Sequence, residues 1–199
     1  QARLDRFWFH APFAELSSAA VDPRVREVTA LRYRQAIQMA TGLGIHRLVI
    51  HSGFIPQVYF PEWFVPQSVL FWQTFLAKAP ENITIALENV MDPGPEMLVE
   101  QVNDPRLGLC LDVGHANCRI SKTPPLHWIE PMLPFLYHVH LHNNAGDMDL
   151  HAELGSGTVP MEAILDTLLA RRPEATFTIE NQICSPSLVW LWERGYLPN

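Results

Sequence analysis

The sequence predicts an α/β fold, a parallel (β/α) barrel, and three observations lead there. Short apolar stretches alternate with helix-like stretches along the chain, which is the pattern of βα units around a parallel sheet. Six of the apolar stretches end in a histidine or a carboxylate, as expected where the C-terminal ends of barrel strands surround one mouth. No glycine-rich turn follows the first strand, as a doubly wound dinucleotide binder would require.

The elements follow in order. Residues 6–13 (RFWFHAPF) form the first expected strand and carry His10. Asp22 and Pro23 then supply an N-cap and a first-turn proline for a helix bearing Val25, Val28, Leu31 and Ile37, ending near Gly42 and Gly44. Residues 47–52 (RLVIHS) deliver His51. The stretch 54–64 (FIPQVYFPEWF) is read as an aromatic loop carrying Phe54, Tyr59, Phe60, Trp63 and Phe64, either a packed cover of the rim or a wall that shapes a substrate site. A helix is expected over 67–79, and the strand 83–89 (ITIALEN) ends in Glu88 and Asn89. After a helix over 94–103, the strand 107–112 (LGLCLD) ends in Asp112, with His115 three residues on. Pro131 argues against a continuous helix over 124–134. Residues 136–141 (LYHVHL) carry His140, and Asp149 and His151 lie in the following loop. A helix over 159–171, a strand over 175–181 (ATFTIEN) carrying Glu180 and a helix over 186–194 complete the series. The near-continuous apolar runs suit strands covered on both faces.

Length and composition bound the function. The 199 residues, 48% hydrophobic, fit one domain spanning 1–199. Three widely spaced cysteines without a CxxC pair favour a reducing, cytoplasmic setting. No apolar run has the roughly 20 residues of a membrane span. The formal charge of −7, with 14 scattered Lys and Arg, argues against nucleic acid as a partner. The chain opens with Gln1, so its natural start is expected upstream.

Nine positions then stand out: His10, His51, Glu88, Asp112, His115, His140, Asp149, His151 and Glu180. Taken singly, a histidine on an apolar strand is more often a hydrogen-bonded core residue, and a terminal Glu or Asp a cap or turn former. Taken together on one rim they point to a divalent cation, because burying several ionisable groups without one costs several kcal/mol each, as an order of magnitude. Mixed imidazole and carboxylate ligands suit Zn, Mn, Fe or Co, and the cysteines are read as bystanders. Asn89, Asn143 and Asn144 are candidates for orienting ligands or substrate hydroxyls, with turn formation equally open for the latter pair. Trp63 is a candidate for the substrate wall. Gly155 and Gly157 (LGSGTV) could bring backbone N–H groups to an anion.

The motifs HAPF, VIHSG, ALEN, CLDVGHAN, HVHLHNN, DLHAELGSG and TIEN, in this order over nearly the whole chain, resemble the xylose isomerase-like TIM barrel superfamily of sugar (phosphate) isomerases, epimerases and endonuclease IV-type nucleases. In the epimerase branch the resemblance implies one metal on Glu88, Asp112, His140 and Glu180. Glu88 and Glu180 would then exchange a proton through an enediolate while His115 contacts a small carbohydrate. In the nuclease branch it implies three zinc ions: one on His10, His51 and Glu88, a second on Glu88, Asp112, His140 and Glu180, and a third on His115, Asp149 and His151. The acidic balance and short loops favour the isomerase or epimerase, with the zinc phosphodiesterase as alternative and a metal-binding barrel without catalysis behind both. A complete barrel has eight βα units in about 250 residues. Two units before His10 are therefore expected to be missing, either because the chain is a fragment or because partner subunits, as in a homo-oligomer, close the gap.

Overall fold

Residues 6–197 are described by the structure, a computed structural model. Six strands, Phe9–His10 (β1), Arg47–His51 (β2), Thr84–Glu88 (β3), Leu107–Asp112 (β4), Leu136–Leu141 (β5) and Thr176–Ile179 (β6), form one parallel sheet in sequence order. Between them run the helices Pro23–Gly42 (α1), Pro61–Leu76 (α2), Glu96–Val99 (α3), Val113–Asn117 (α4), Pro125–Met132 (α5) and Met161–Arg171 (α6), and Ser185–Glu193 (α7) follows β6. The sheet curls into part of a barrel. Trp8, just before β1, donates from Nε1 to Thr176 Oγ1 on β6 at 2.7 Å, so the outer strands meet across the interior.

Strand alternation sorts the side chains. Leu48, Ile50, Ile85, Leu87, Leu109, Leu111, Val139 and Leu141 belong to the large core shared with the helices, which also takes in Phe64, Trp72 and Trp128. The other face carries the small Val49, Ala86 and Cys110, which pack with Trp8 and Tyr137 in a separate cluster. His51, Glu88 and Asp112 each follow one of those three by two residues, so they share its face at the strand ends. Register sets them side by side, His51 opposite Glu88 and Asp112 opposite His140.

Several boundaries differ from the expected ones. Strand β1 is two residues long, and α3 is four, in a stretch punctuated by Pro93 and Pro95. Helix α2 begins at Pro61, so Trp63 and Phe64 of the expected aromatic loop are helical. Phe64 is fully buried, and Phe71, Trp72 and Phe75 of α2 pack against Tyr33 of α1. Pro131 does not prevent α5. That helix runs through it to Met132 and tightens into a 3-10 turn over Leu133–Phe135, because burying Trp128, Ile129 and Met132 outweighs the proline penalty of about 3 kcal/mol. Among the described residues no helix is long and apolar enough to cross a membrane.

Candidate metal centre

Glu88 sits at the middle of the strand ends, 1% exposed, with each carboxylate oxygen facing a different pair of imidazoles. Oε2 lies 3.2 Å from His10 Nε2 and 3.5 Å from His51 Nε2. Oε1 lies 3.1 Å from His140 Nδ1 and 3.5 Å from His115 Nδ1. His140 Nδ1 is also 3.1 Å from Glu180 Oε1. Beyond His115, whose Nε2 donates to Asp149 Oδ2 at 3.1 Å, His151 Nε2 lies 3.2 Å from the same oxygen. Potential ligand atoms thus fall into three groups, each within 4.8 Å: His10, His51 and Glu88; Glu88, Asp112, His140 and Glu180; and His115, His142, Asp149 and His151. The structure brings all nine expected residues together and adds His142, which sequence reasoning passed over. A signal existed: His142 is two residues from His140 and therefore on the same face of the chain.

The charges explain why these groups fit a cation. Burial opposes ionisation of Glu88, yet His140, His10 and His115 hold its carboxyl well below the usual range. Burial likewise opposes a charge on His115, but Asp112, Asp149 and Glu88 push its imidazolium up to about 12. Burial opposes a charge on His140, and the Glu88 carboxylate 3.1 Å away holds it well above the usual range. Without metal, protons on these imidazoles supply the positive charge that the buried carboxylates need, and divalent ions in the same groups would replace them. His51 is lowered to about 4 by burial, which leaves its ring neutral and able to act as a ligand. Cys110 is pushed up to about 12 by burial and belongs to none of the groups. Every donor is imidazole or carboxylate, the set that suits Zn, Mn, Fe or Co.

The backbone around Asp112 is held on both sides. Asn89 Oδ1 accepts from Asp112 N at 2.8 Å and Asn89 Nδ2 donates to Asp112 O at 2.9 Å, extending the β3–β4 ladder with a side chain. Asp112 caps α4 by accepting from His115 N at 2.7 Å, which turns His115 back toward Glu88. His151 takes a left-handed conformation (φ 46°), and its Nδ1 donates to Glu180 O at 2.7 Å, fixing the 143–152 loop over β6.

A cavity of about 640 Å³ opens above the centre. It is lined by His10, His51, Glu88, His115, Asp149, His151 and Glu180 on its floor, and by apolar groups including Phe13, Phe54, Ile55, Tyr59 and Met91 on its walls. Six further residues singled out in the sequence are not among those lining this cavity. Asn89 is spent on the Asp112 backbone. Trp63 donates from Nε1 to Ala19 O on the flank of α2. Asn143 is buried, donating to Leu154 O and accepting from Asn144 N and Val159 N, and Asn144 ties Gly114 O to Gly146 N. A side chain at Gly155 would strike Trp190, and at Gly157 (φ 94°) the backbone of Asn144, so both glycines serve close packing. The aromatic stretch contributes Phe54 and Tyr59 to the wall, while Phe64 fills the core.

Comparison with known proteins agrees with this architecture. The family described as xylose isomerase-like TIM barrel matches residues 4–189. An uncharacterized protein of Methanocaldococcus jannaschii is 32% identical over 87% of this chain and 63% of its own length. A probable endonuclease 4 of Mesomycoplasma hyopneumoniae is 25% identical over 83% of this chain and 66% of its own. The chain thus spans just under two thirds of the length of these curated relatives. Among solved structures, a D-tagatose 3-epimerase-like protein superposes with a TM-score of 0.81 and 27% identity, covering 94% of this chain and 75% of that one.

Proposed function

The chain belongs to the xylose isomerase-like TIM barrel family, and from that premise we propose that it is a metal-dependent phosphoester hydrolase working at a centre of up to three divalent ions. The observation that carries this reading is the Glu88 carboxylate, whose two oxygens are directed into two separate ligand groups, the arrangement of a bridging ligand. A bridging carboxylate has no oxygen left to carry a substrate proton.

Bound ions would lower the pKa of water and offset negative charge developing on a phosphoryl group. His10, His51 and Glu88 would hold one, Glu88, Asp112, His140 and Glu180 a second, and the group around His115 and Asp149 a third. Glu180 is the carboxylate placed to move protons. It lines the cavity and is the most exposed carboxylate of its group, 22% against 1% for Glu88 and 0% for Asp112, so its outer oxygen can take a proton from an entering water and return it to the leaving oxygen. Phe13, Phe54, Ile55 and Tyr59 keep bulk water from this floor and offer an apolar surface to the uncharged part of the substrate. Among the described residues lining the cavity there is no Lys or Arg, which favours a small substrate over a long polyanion.

The second reading is the isomerase or epimerase, supported by the 27% identity to the epimerase-like structure. It uses one ion on Glu88, Asp112, His140 and Glu180 and leaves His10, His51, Asp149 and His151 without work. One experiment separates the two. The chain is loaded with Zn or Mn and assayed on bis(p-nitrophenyl) phosphate and an abasic-site oligonucleotide, beside deuterium wash-in from heavy water into ketoses. Hydrolysis of the small diester without wash-in is expected. Wash-in without hydrolysis overturns the hydrolase in favour of the isomerase.

A further inference from the structure

His142 follows β5 and is fully buried, and the site as described from sequence leaves it without work. Its Nε2 donates to Asp112, 2.9 Å from Oδ1 and 3.1 Å from Oδ2. Its Nδ1 is a buried nitrogen without a hydrogen-bond partner, and it points toward Asp149, 3.7 Å from Oδ1. The ring lies parallel to that of His151 at 4.0 Å and edge-on to that of His115 at 5.5 Å. Space for it is reserved in the fold, because a Cβ on Gly114 would fall 2.0 Å from His142 Cε1 and 2.3 Å from Nδ1.

A buried imidazole with one nitrogen donating to a carboxylate and the other bare, aimed at a carboxylate and two more imidazoles, has the bonding of a metal ligand. The second nitrogen of a ligating histidine almost always donates to a carboxylate or carbonyl, which sets the tautomer that frees the first. A histidine that merely oriented Asp112 would leave Nδ1 as a buried unsatisfied group, at a cost of about 1–3 kcal/mol. We propose that His142 Nδ1 is the fourth protein ligand of the ion held by His115, Asp149 and His151, so that this position is a closed, structural site. Four protein ligands complete a tetrahedron and leave no position for water, in contrast to catalytic sites, which keep one open. The work of this ion is then to pin the 143–152 loop, with its strained His151, to α4 and β5. The open positions belong to the two groups that share Glu88. Because Asp112 is a member of one group and the partner of His142 in the other, the closed site also orients a ligand of its neighbour.

This inference rests on the reading of the cluster as a metal centre and is tested separately from it. The whole chain is loaded with Co(II), dialysed against chelator, and followed by elemental analysis and visible absorption. The wild type is expected to retain one ion after the others have left, with the intense bands of four-coordinate Co(II). His142→Gln, whose amide still reaches Asp112, and Asp149→Asn should each release that ion about 10- to 100-fold faster or more, with loss of the bands. The double variant should lose no more than either single one. Retention, release rate and bands unchanged in H142Q, with loss in D149N, overturn the inference and leave the metal centre standing. No ion bound by wild type removes both. Should H142Q fail to fold by circular dichroism, nitrogen-15 NMR of wild-type protein loaded with 113Cd decides the matter. Cadmium coupling at His142 Nδ1 is expected, and coupling at His115 and His151 alone rules it out.

Discussion

Asp92 is buried, with one carboxylate oxygen accepting from the Ser52 hydroxyl at 2.7 Å and from Val90 N at 3.0 Å while the other has no partner among the described residues. Burial pushes its carboxyl up to about 6 despite those two donors. A carboxyl whose folded pKa lies above its unfolded one stabilises the fold at pH values below the unfolded pKa. That contribution is lost as pH rises through about 6. Asp92→Asn removes the dependence. Melting profiles should show the variant gaining on wild type between pH 4 and pH 7, by up to about 2–3 kcal/mol. Parallel profiles would refute the assignment. At this scale the sequence was informative wherever chemistry concentrated. His10, His51, Glu88, Asp112, His140 and Glu180 could be named because each is a polar residue closing an apolar strand. Asn89 and Asn143 could be named as orienting groups, but not the backbone atoms they hold, because these depend on which residue the neighbouring strand or loop places opposite, and that register is not written locally.

Helix α4 shows how a single turn serves the site. Asp112 caps it, Gly114 clears the space for His142, and His115 at its centre faces both Glu88 and Asp149. Gly114→Ala places a methyl inside the His142 ring. The expected outcome is a loss of about 1–3 kcal/mol in stability from overpacking, together with faster release of the chelator-resistant ion. A variant that keeps both would show that the ring has room to move. The elements most legible in the sequence were β2 to β5 and α1, where apolar runs and a capped, proline-started helix agree with burial. The least legible were α2 and α5. Their prolines argue locally for breaks, whereas buried Phe64, Trp72 and Trp128 reward continued helix, a term that appears only once the sheet is in place.

Across the whole molecule, the candidate ligands come from the ends of five strands, β1 to β5, from His115 on α4, from Glu180 just beyond β6, and from the segment holding His142, Asp149 and His151. Ions in these groups would fasten together segments from residue 10 to residue 180, with contacts of far longer range than the strand ladders provide. Saturating metal should therefore raise the melting temperature of the entire chain in one transition. The stabilisation should be about 2.7 kcal/mol per ion at a hundred times its dissociation constant. A metal-induced shift confined to a minor transition would contradict that. The six-strand count and the order of the units were readable in the alternation of the sequence, while the contact of Trp8 with Thr176 across the interior was not, since it depends on how far the sheet curls.

The double engagement of Glu88 carries a further implication for how the molecule fills. Once a first cation fixes the rotamer of that carboxylate and displaces protons from the surrounding rings, the second finds its donors already aligned and already stripped of competing hydrogen ions. Uptake by the two groups that share Glu88 would then be sigmoidal in cation concentration. Where supply is limiting, copies with both of these two groups filled or both empty would outnumber those with one filled, and the proposed activity would rise within a narrow window of availability.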